Sequence, residues 1–123
     1  MNKLASVLLH SRTQAHVFHL RVSGPGSYAA HLALQAYYEG IIPLLDGLIE
    51  AYQGKNGLIM FENIDELSNN ATINHIVEYF DKILLIIEKV RVDKDLQDSH
   101  IQNDIDTIVT LLYSTKYKLE NLA

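Results

Sequence analysis

The feature that most constrains this chain is the three- and four-residue spacing of its apolar residues, which recurs in four separate segments. In the first segment this spacing runs from Leu4 to Val22 and ends at Ser23–Gly26, a Gly- and Pro-containing stretch that cannot continue a helix. Spacing of this kind places apolar side chains on one face of an α-helix. No segment shows the alternation of a β-strand, so the sequence predicts an all-α protein.

The second helix is predicted to run from about Tyr28 to Gln53. Ser27 is the expected N-cap, and Gly54 is expected to end the helix in a left-handed conformation. Pro43 lies inside this helix and removes one backbone hydrogen bond. Because the apolar spacing continues beyond it, we expect a kink at this proline and not the end of the helix.

The second and third helices are separated by a long connection, residues Lys55–Asn70, in which a short helix is predicted around Ile64–Leu67. Thr72 is the expected cap of the third helix, whose apolar positions extend from Ile73 to Val90. A fourth helix is predicted from about Ser99 to Leu119. Its buried face is expected to comprise Ile101, Ile105, Ile108, Leu111, Leu112, Tyr113 and Leu119.

Short, long and short connections between four amphipathic helices predict a single domain over residues 1–123. They indicate a ferritin-like four-helix bundle with one long crossover connection between helices 2 and 3.

Composition narrows the possible chemistry. The chain has no cysteine, so a bound metal would need His, Asp, Glu or backbone oxygen ligands, a set that favours iron, manganese or another hard divalent ion. The formal net charge of -5 argues against DNA as a partner. The N-terminal apolar run is too short for a membrane span and lacks the small-residue cleavage site of a signal peptide, so we expect a cytoplasmic protein without a membrane partner.

Histidines and carboxylates at helical spacing form the candidate site. Asp46 and Glu50 lie one turn apart on the second helix, and His31 lies about four turns earlier on that helix. His16 and His19 are three residues apart near the end of the first helix. About 15 residues of helix span roughly 22 Å, so His31 cannot reach the two acids within one chain. If they share a metal, the helix must meet its own copy antiparallel across a two-fold axis.

This arrangement resembles the miniferritins, the DNA-binding proteins from starved cells (Dps). His19, His31, Asp46 and Glu50 reproduce the spacing of the family's ferroxidase ligands, and the similar segment, Gln14–Gly54, covers a third of the chain. The resemblance implies a di-iron site shared between two subunits, with these four residues as catalytic ligands. It also implies oxidation of Fe(II) by peroxide or oxygen and assembly of identical subunits into a closed dodecameric shell.

The sequence departs from that family at two points. The family usually has an Asp one turn after its second His, where this chain has Gln35; Glu39, one turn further on, is the residue that could compensate. Gln14-Ala15-His16 also resembles the family's segment around its first His, so either His16 or His19 is the ligand. The chain is similar as well to short miniferritin-like proteins of tailed bacteriophages, which would place a phage-encoded protein in the host cytoplasm.

Two functions follow from these residues. The first is a miniferritin that oxidises Fe(II) for iron sequestration or oxidative protection. Its metal ligands would be His16 or His19, His31, Asp46 and Glu50, with Gln35 and Glu39 nearby. The second is a non-catalytic bundle of the same fold that acts as a self-assembling structural or scaffold protein.

The remaining aromatic and histidine side chains are assigned to packing or to the surface. Tyr28, Tyr37, Tyr38 and Tyr52 are expected in the core or at a dimer interface with their hydroxyls at the rim. His10, His75 and His100 have no companion ligands at useful spacing and are expected to be surface or capping residues.

Overall fold

Four α-helices account for most of the computed structural model, which describes residues 1–122. They are α1 (Asn2–Arg21), α2 (Ser27–Asn56), α3 (Ile73–Val90) and α4 (Ser99–Asn121). One short 3-10 turn, Lys94–Leu96, lies between α3 and α4. Within residues 1–122 there is no strand, so the all-α prediction is confirmed. No helix of the described chain combines the length and apolarity that a membrane span requires.

The apolar faces predicted from the spacing form the core. Leu8 and Phe18 of α1 pack with Tyr37 of α2, Phe80 of α3 and Ile105 of α4, and all five side chains are buried. Tyr113 is an exception, because half of it is exposed on α4. The buried polar residues make hydrogen bonds within the chain. The Ser11 hydroxyl lies 2.7 Å from the Tyr37 hydroxyl and donates to the Leu8 carbonyl oxygen.

The order of neighbouring helices is set by the long connection. α1 contacts α2 and α3, and α4 contacts the same two helices. The connection begins beside the start of α1, where the Met60 amide donates to Asn2, and it ends beside the last turn of α1, where Arg21 donates to the Asn69 carbonyl oxygen. Consequently α3 starts at the same end of the bundle as α2 and runs parallel to it.

Three local predictions were wrong. Gly26, at φ 78°, is the N-cap of α2, and Ser27 is its first helical residue and makes no capping bond. α2 continues through Gly54 to Asn56, and Gly57, at φ 87°, follows its end. Residues 64–67 form no helix. Gly26 and Gly57 reach positive φ without the clash that a Cβ introduces, so loop geometry overrode the capping preference of Ser27.

The predicted Thr72 cap of α3 is confirmed, because the Thr72 hydroxyl accepts from the His75 amide.

The connection between α2 and α3 is attached to α1 by side chains in place of a helix of its own. The Glu62 amide donates to the Ser6 hydroxyl at 2.8 Å. Gln14, which is buried, holds Ser68 by both backbone groups: its amide nitrogen donates to the Ser68 carbonyl oxygen at 2.9 Å, and its carbonyl oxygen accepts from the Ser68 amide at 2.7 Å. Residues 64–67, which form no helix, lie between these two points of attachment.

Replacing Gln14 should therefore loosen the connection. We expect Gln14→Leu to lower the free energy of unfolding by about 2 kcal/mol, because two partly buried backbone groups lose their partners. Urea denaturation measures this change, and hydrogen exchange should show the Ser68 amide losing protection first. Asn103→Ala, at an exposed position of α4, is the control and should stay within about 0.5 kcal/mol of the unsubstituted protein. Equal effects of the two substitutions would contradict this role for Gln14.

Candidate metal centre

The imidazole rings of His19 and His31 lie face to face where α1 and α2 meet. Their centroids are 3.6 Å apart and their planes are inclined by 19°. His19 is buried and His31 is half-buried. The short loop between α1 and α2 turns the chain back on itself, so the end of α1 and the start of α2 come together. The structure thus brings these two predicted site residues together.

Each ring is held by the backbone of the other residue. His19 Nδ1 lies 2.8 Å from the His31 carbonyl oxygen, and His31 Nδ1 lies 2.9 Å from the His19 carbonyl oxygen. A carbonyl oxygen only accepts, so both Nδ1 atoms carry the proton. The His19 carbonyl belongs to the last turn of α1, where helices leave carbonyl oxygens without an intrahelical partner. In the neutral rings both Nε2 lone pairs are therefore available, as in histidines that bind a metal through Nε2.

His16 occupies a different position. It is exposed, and its ring stacks on Tyr38 with the centroids 4.3 Å apart. The ring of Tyr38 also meets His19 edge-on at 5.3 Å. Of the two histidines that the sequence left as alternatives, His19 is the one that pairs with His31, whereas His16 lies 5.9 Å from His19 on the solvent side.

Gln35 and Glu39 follow His31 at one-turn intervals along α2. The Gln35 amide nitrogen donates to the Glu39 carboxylate at 3.1 Å. Glu39 is exposed, and Gln35 is half-buried. This hydrogen bond orients the amide so that the Gln35 carbonyl oxygen remains available as a neutral ligand.

The acidic pair lies at the far end of α2. Asp46 and Glu50 are exposed and line a cleft of about 310 Å³ with Leu9, Ile49 and Phe61. The helical rise places them roughly 22 Å or more from His31. Within residues 1–122, no three His, Asp or Glu side chains lie close enough together to hold a metal ion. One chain therefore contains the two halves of the predicted ligand set at opposite ends of a helix.

The face of α1 and α2 that joins these halves is partly apolar and open. Leu9, Leu32, Ile42 and Phe61 are between 38% and 52% exposed. No part of the described chain covers these four side chains fully.

The stacking also limits how the histidines could bind a metal. Two ligands on one ion need lone pairs that converge on a point about 2.0–2.1 Å from each nitrogen. Imidazole rings stacked face to face have nearly parallel planes, and in-plane lone pairs in such planes do not converge. His19 and His31 would therefore bind two separate ions, or one ring would have to rotate.

The structure corrects the assignments of three of the remaining residues. His10 is half-buried and paired within the chain: its Nδ1 lies 2.7 Å from the Tyr79 hydroxyl, and its Nε2 is buried without a partner. His75 Nε2 bonds the Ser68 hydroxyl under the connection. Tyr37 carries its hydroxyl in the core and not at the rim, and burial raises its pKa. The spacing of α1 could have suggested the position of His10, three residues after Val7 and four before Gln14.

Comparison with known proteins gives one match. A family model described as "Family of unknown function (DUF5856)" matches residues 19–119, which include the histidine pair and the acidic pair. No curated protein and no solved structure matches the chain.

The hydrogen bonds of the histidine pair predict a specific tautomer. At pH 8 we expect His19 and His31 to carry their proton on Nδ1 with Nε2 unprotonated, as measured from the ¹⁵N shifts of the imidazole rings. The exposed His100 serves as the internal control, since no carbonyl oxygen constrains its ring in the same way. A proton on Nε2 of both residues would contradict the hydrogen bonding described here.

Proposed function

The chain belongs to the DUF5856 family of unknown function, and we propose that it is a miniferritin-like protein that binds and oxidises Fe(II) between two identical subunits. The observation that carries the proposal is the stacked His19–His31 pair, with both Nδ1 atoms tied to backbone carbonyl oxygens. A tether of this kind orients imidazole ligands for metal binding through Nε2. Histidine and carboxylate together suit iron.

The helix order supports a ferritin-like assignment for the bundle. α3 runs parallel to α2, and a long connection along α1 joins them. A four-helix bundle with one such crossover is the arrangement found in ferritin-like folds.

A two-fold dimer would complete the ligand set. Antiparallel packing of α2 on its copy, centred near Glu39, would bring His31 of one subunit opposite Asp46 and Glu50 of the other. The face is self-complementary in ligand type, with its histidines at one end and its acids at the other. The exposed apolar residues Leu9, Leu32 and Ile42 would be covered by this contact.

The chemistry follows from this ligand set. The carboxylates of Asp46 and Glu50 would neutralise the charge of the iron substrate, and the imidazoles would add neutral donors. The reaction removes one electron from each Fe(II), so two Fe(II) ions reduce one peroxide to two hydroxide ions. Because His19 and His31 present lone pairs that do not converge, each imidazole would bind its own ion.

A second function, non-catalytic self-assembly, is favoured by one observation. Gln35 replaces the Asp that the resemblance implies, and its amide hydrogen bond to Glu39 is a stable arrangement without any metal. In that case the same dimer would form but would bind no iron.

Complementation between two variants tests the shared site. We expect the double variants His19→Ala/His31→Ala and Asp46→Ala/Glu50→Ala each to lose Fe(II) binding in anaerobic titrations. A refolded equimolar mixture should regain about one quarter of the original sites, because half of the dimers are mixed and each mixed dimer has one intact site.

The controls separate the alternatives. Glu88→Ala, an exposed acid on α3, should bind iron like the unsubstituted protein. No iron binding by an unsubstituted dimer would leave self-assembly as the function. If each variant protein alone loses Fe(II) binding and their refolded mixture does not regain it, the site is not shared across subunits.

Restoring the carboxylate at position 35 gives a separate prediction. Gln35→Asp should tighten Fe(II) binding about tenfold, because a charged ligand replaces a neutral one near His31. Asn103→Asp, at an exposed position of α4, is the control and should leave iron affinity unchanged. Weaker binding by Gln35→Asp would indicate that position 35 does not face the metal.

A further inference from the structure

Asn56 and Gly57 lie where α2 ends and the extended connection to α3 begins. Asn56 is the last residue of the helix and is exposed, and the chain leaves the helix at Gly57 with φ 87°. A Cβ added to Gly57 would have no neighbour within 4 Å, so this side of the junction faces open space. Asn56 is also the one asparagine in the sequence that glycine follows.

An asparagine that precedes glycine reacts with its own backbone. The backbone nitrogen of the glycine attacks the side-chain Cγ, the Cγ–Nδ2 bond breaks, and the amide group leaves as ammonia with the proton of the attacking nitrogen. The product is a five-membered succinimide ring, which water opens to aspartate or isoaspartate. Glycine favours the attack because it has no Cβ and leaves the backbone free to reach the required conformation. The reaction consumes only water.

Two hydrogen bonds hold the reacting groups apart in the folded protein. The Gly57 amide donates to the Gln53 carbonyl oxygen at 2.9 Å, and Asn56 Nδ2 donates to the Tyr52 carbonyl oxygen at 3.1 Å. Both bonds belong to the last turn of α2. The ends of helices open at far lower cost than their interiors, so both bonds break and re-form while the rest of the helix stays intact.

The first residues of the connection give this turn little support. Leu58 is 88% exposed and Met60 is 75% exposed. The Ile59 amide donates to the Gln53 side chain at 3.2 Å, and the Met60 amide donates to the Asn2 side chain at 3.3 Å. Both distances are at the long end of the range for N–H···O hydrogen bonds. Opening of the last turn of α2 therefore disturbs few strong contacts.

We propose that Asn56–Gly57 is a site of spontaneous deamidation, and that the modification loosens the start of the connection. The product has an oxygen in place of Asn56 Nδ2, so the donor to the Tyr52 carbonyl oxygen is lost. It also adds a negative charge at the C-terminal end of α2, where the helix dipole disfavours one. The isoaspartate form lengthens the main chain by one methylene between the helix and the connection. The site is independent of the proposed iron chemistry, because neither residue belongs to the iron ligand set.

A second Asn-Gly pair in the same helix provides a matched comparison. Asp46→Asn creates such a pair with Gly47 in the interior of α2, where helical turns continue on both sides. In urea the pairs at positions 46 and 56 should react at similar rates, because neither is then protected. In the folded variant at pH 8, we expect the reaction to slow about tenfold at position 56 and at least about a hundredfold at position 46.

Peptide mapping by mass spectrometry measures both rates from the mass gained when the amide becomes an acid, and enzymatic methylation detects isoaspartate. The unsubstituted protein should gain this mass at Asn56 before it does so at any other asparagine. Equal rates at positions 46 and 56 in the folded variant would overturn the proposal. So would an Asn56 that stays intact in the folded protein while it reacts in urea.

Hydrogen exchange measures the effect on the connection. Asn56→Asp has the charge of the product and should speed exchange of the Ile59 amide about threefold, as should ageing of the unsubstituted protein. Asn56→Gln keeps an amide and closes the larger ring slowly, so it is the control and should change neither in mass nor in exchange. Unaltered exchange at Ile59 in both Asn56→Asp and the aged protein would contradict the loosening proposed here.

Discussion

The arrangement of the bundle depends on how the extended connection between α2 and α3 is held. Its backbone groups have no helix or strand to pair with, and a buried unpaired group is costly. Asn2, Ser6 and Gln14 of α1 provide partners at three points along it. Because the connection follows α1 from one end to the other, α3 is parallel to α2 and packs between α1 and α4. That placement leaves one face of α1 and α2 uncovered within the chain.

The uncovered face and the buried side of α1 have different chemistry. On the open side, His19 and His31 are locked by each other's backbone, and the acids stand apart at the other end of α2. On the side under the connection, His10 pairs with Tyr79 and keeps one unpartnered nitrogen. The histidines of α1 thus have different partners: His19 bonds to the backbone of α2, whereas His10 bonds to a tyrosine of α3.

The separation of the candidate ligands follows from the geometry of a helix. Residues 15 positions apart on a straight helix are roughly 22 Å apart, whatever their chemistry. A site that uses both His31 and Asp46 therefore requires a second subunit. The His19–His31 pair forms within a single chain, since both Nδ1 hydrogen bonds lie inside it. The same geometry would support assembly with or without iron, and only metal binding separates these two functions.

The number of helices, their approximate bounds and most of their buried faces could be predicted from sequence, because helical periodicity is a local property of the chain. Helix ends were less predictable. The N-cap of α2 is Gly26 and not Ser27, and the glycine that follows its end is Gly57 and not Gly54. Both outcomes depend on loop geometry, which outweighs capping preferences of about 1 kcal/mol. Only the tertiary structure paired His19 with His31 and placed His16 on Tyr38, because that depends on the angle at which α1 meets α2. It also placed the His10 ring against Tyr79, a residue 69 positions away in the chain.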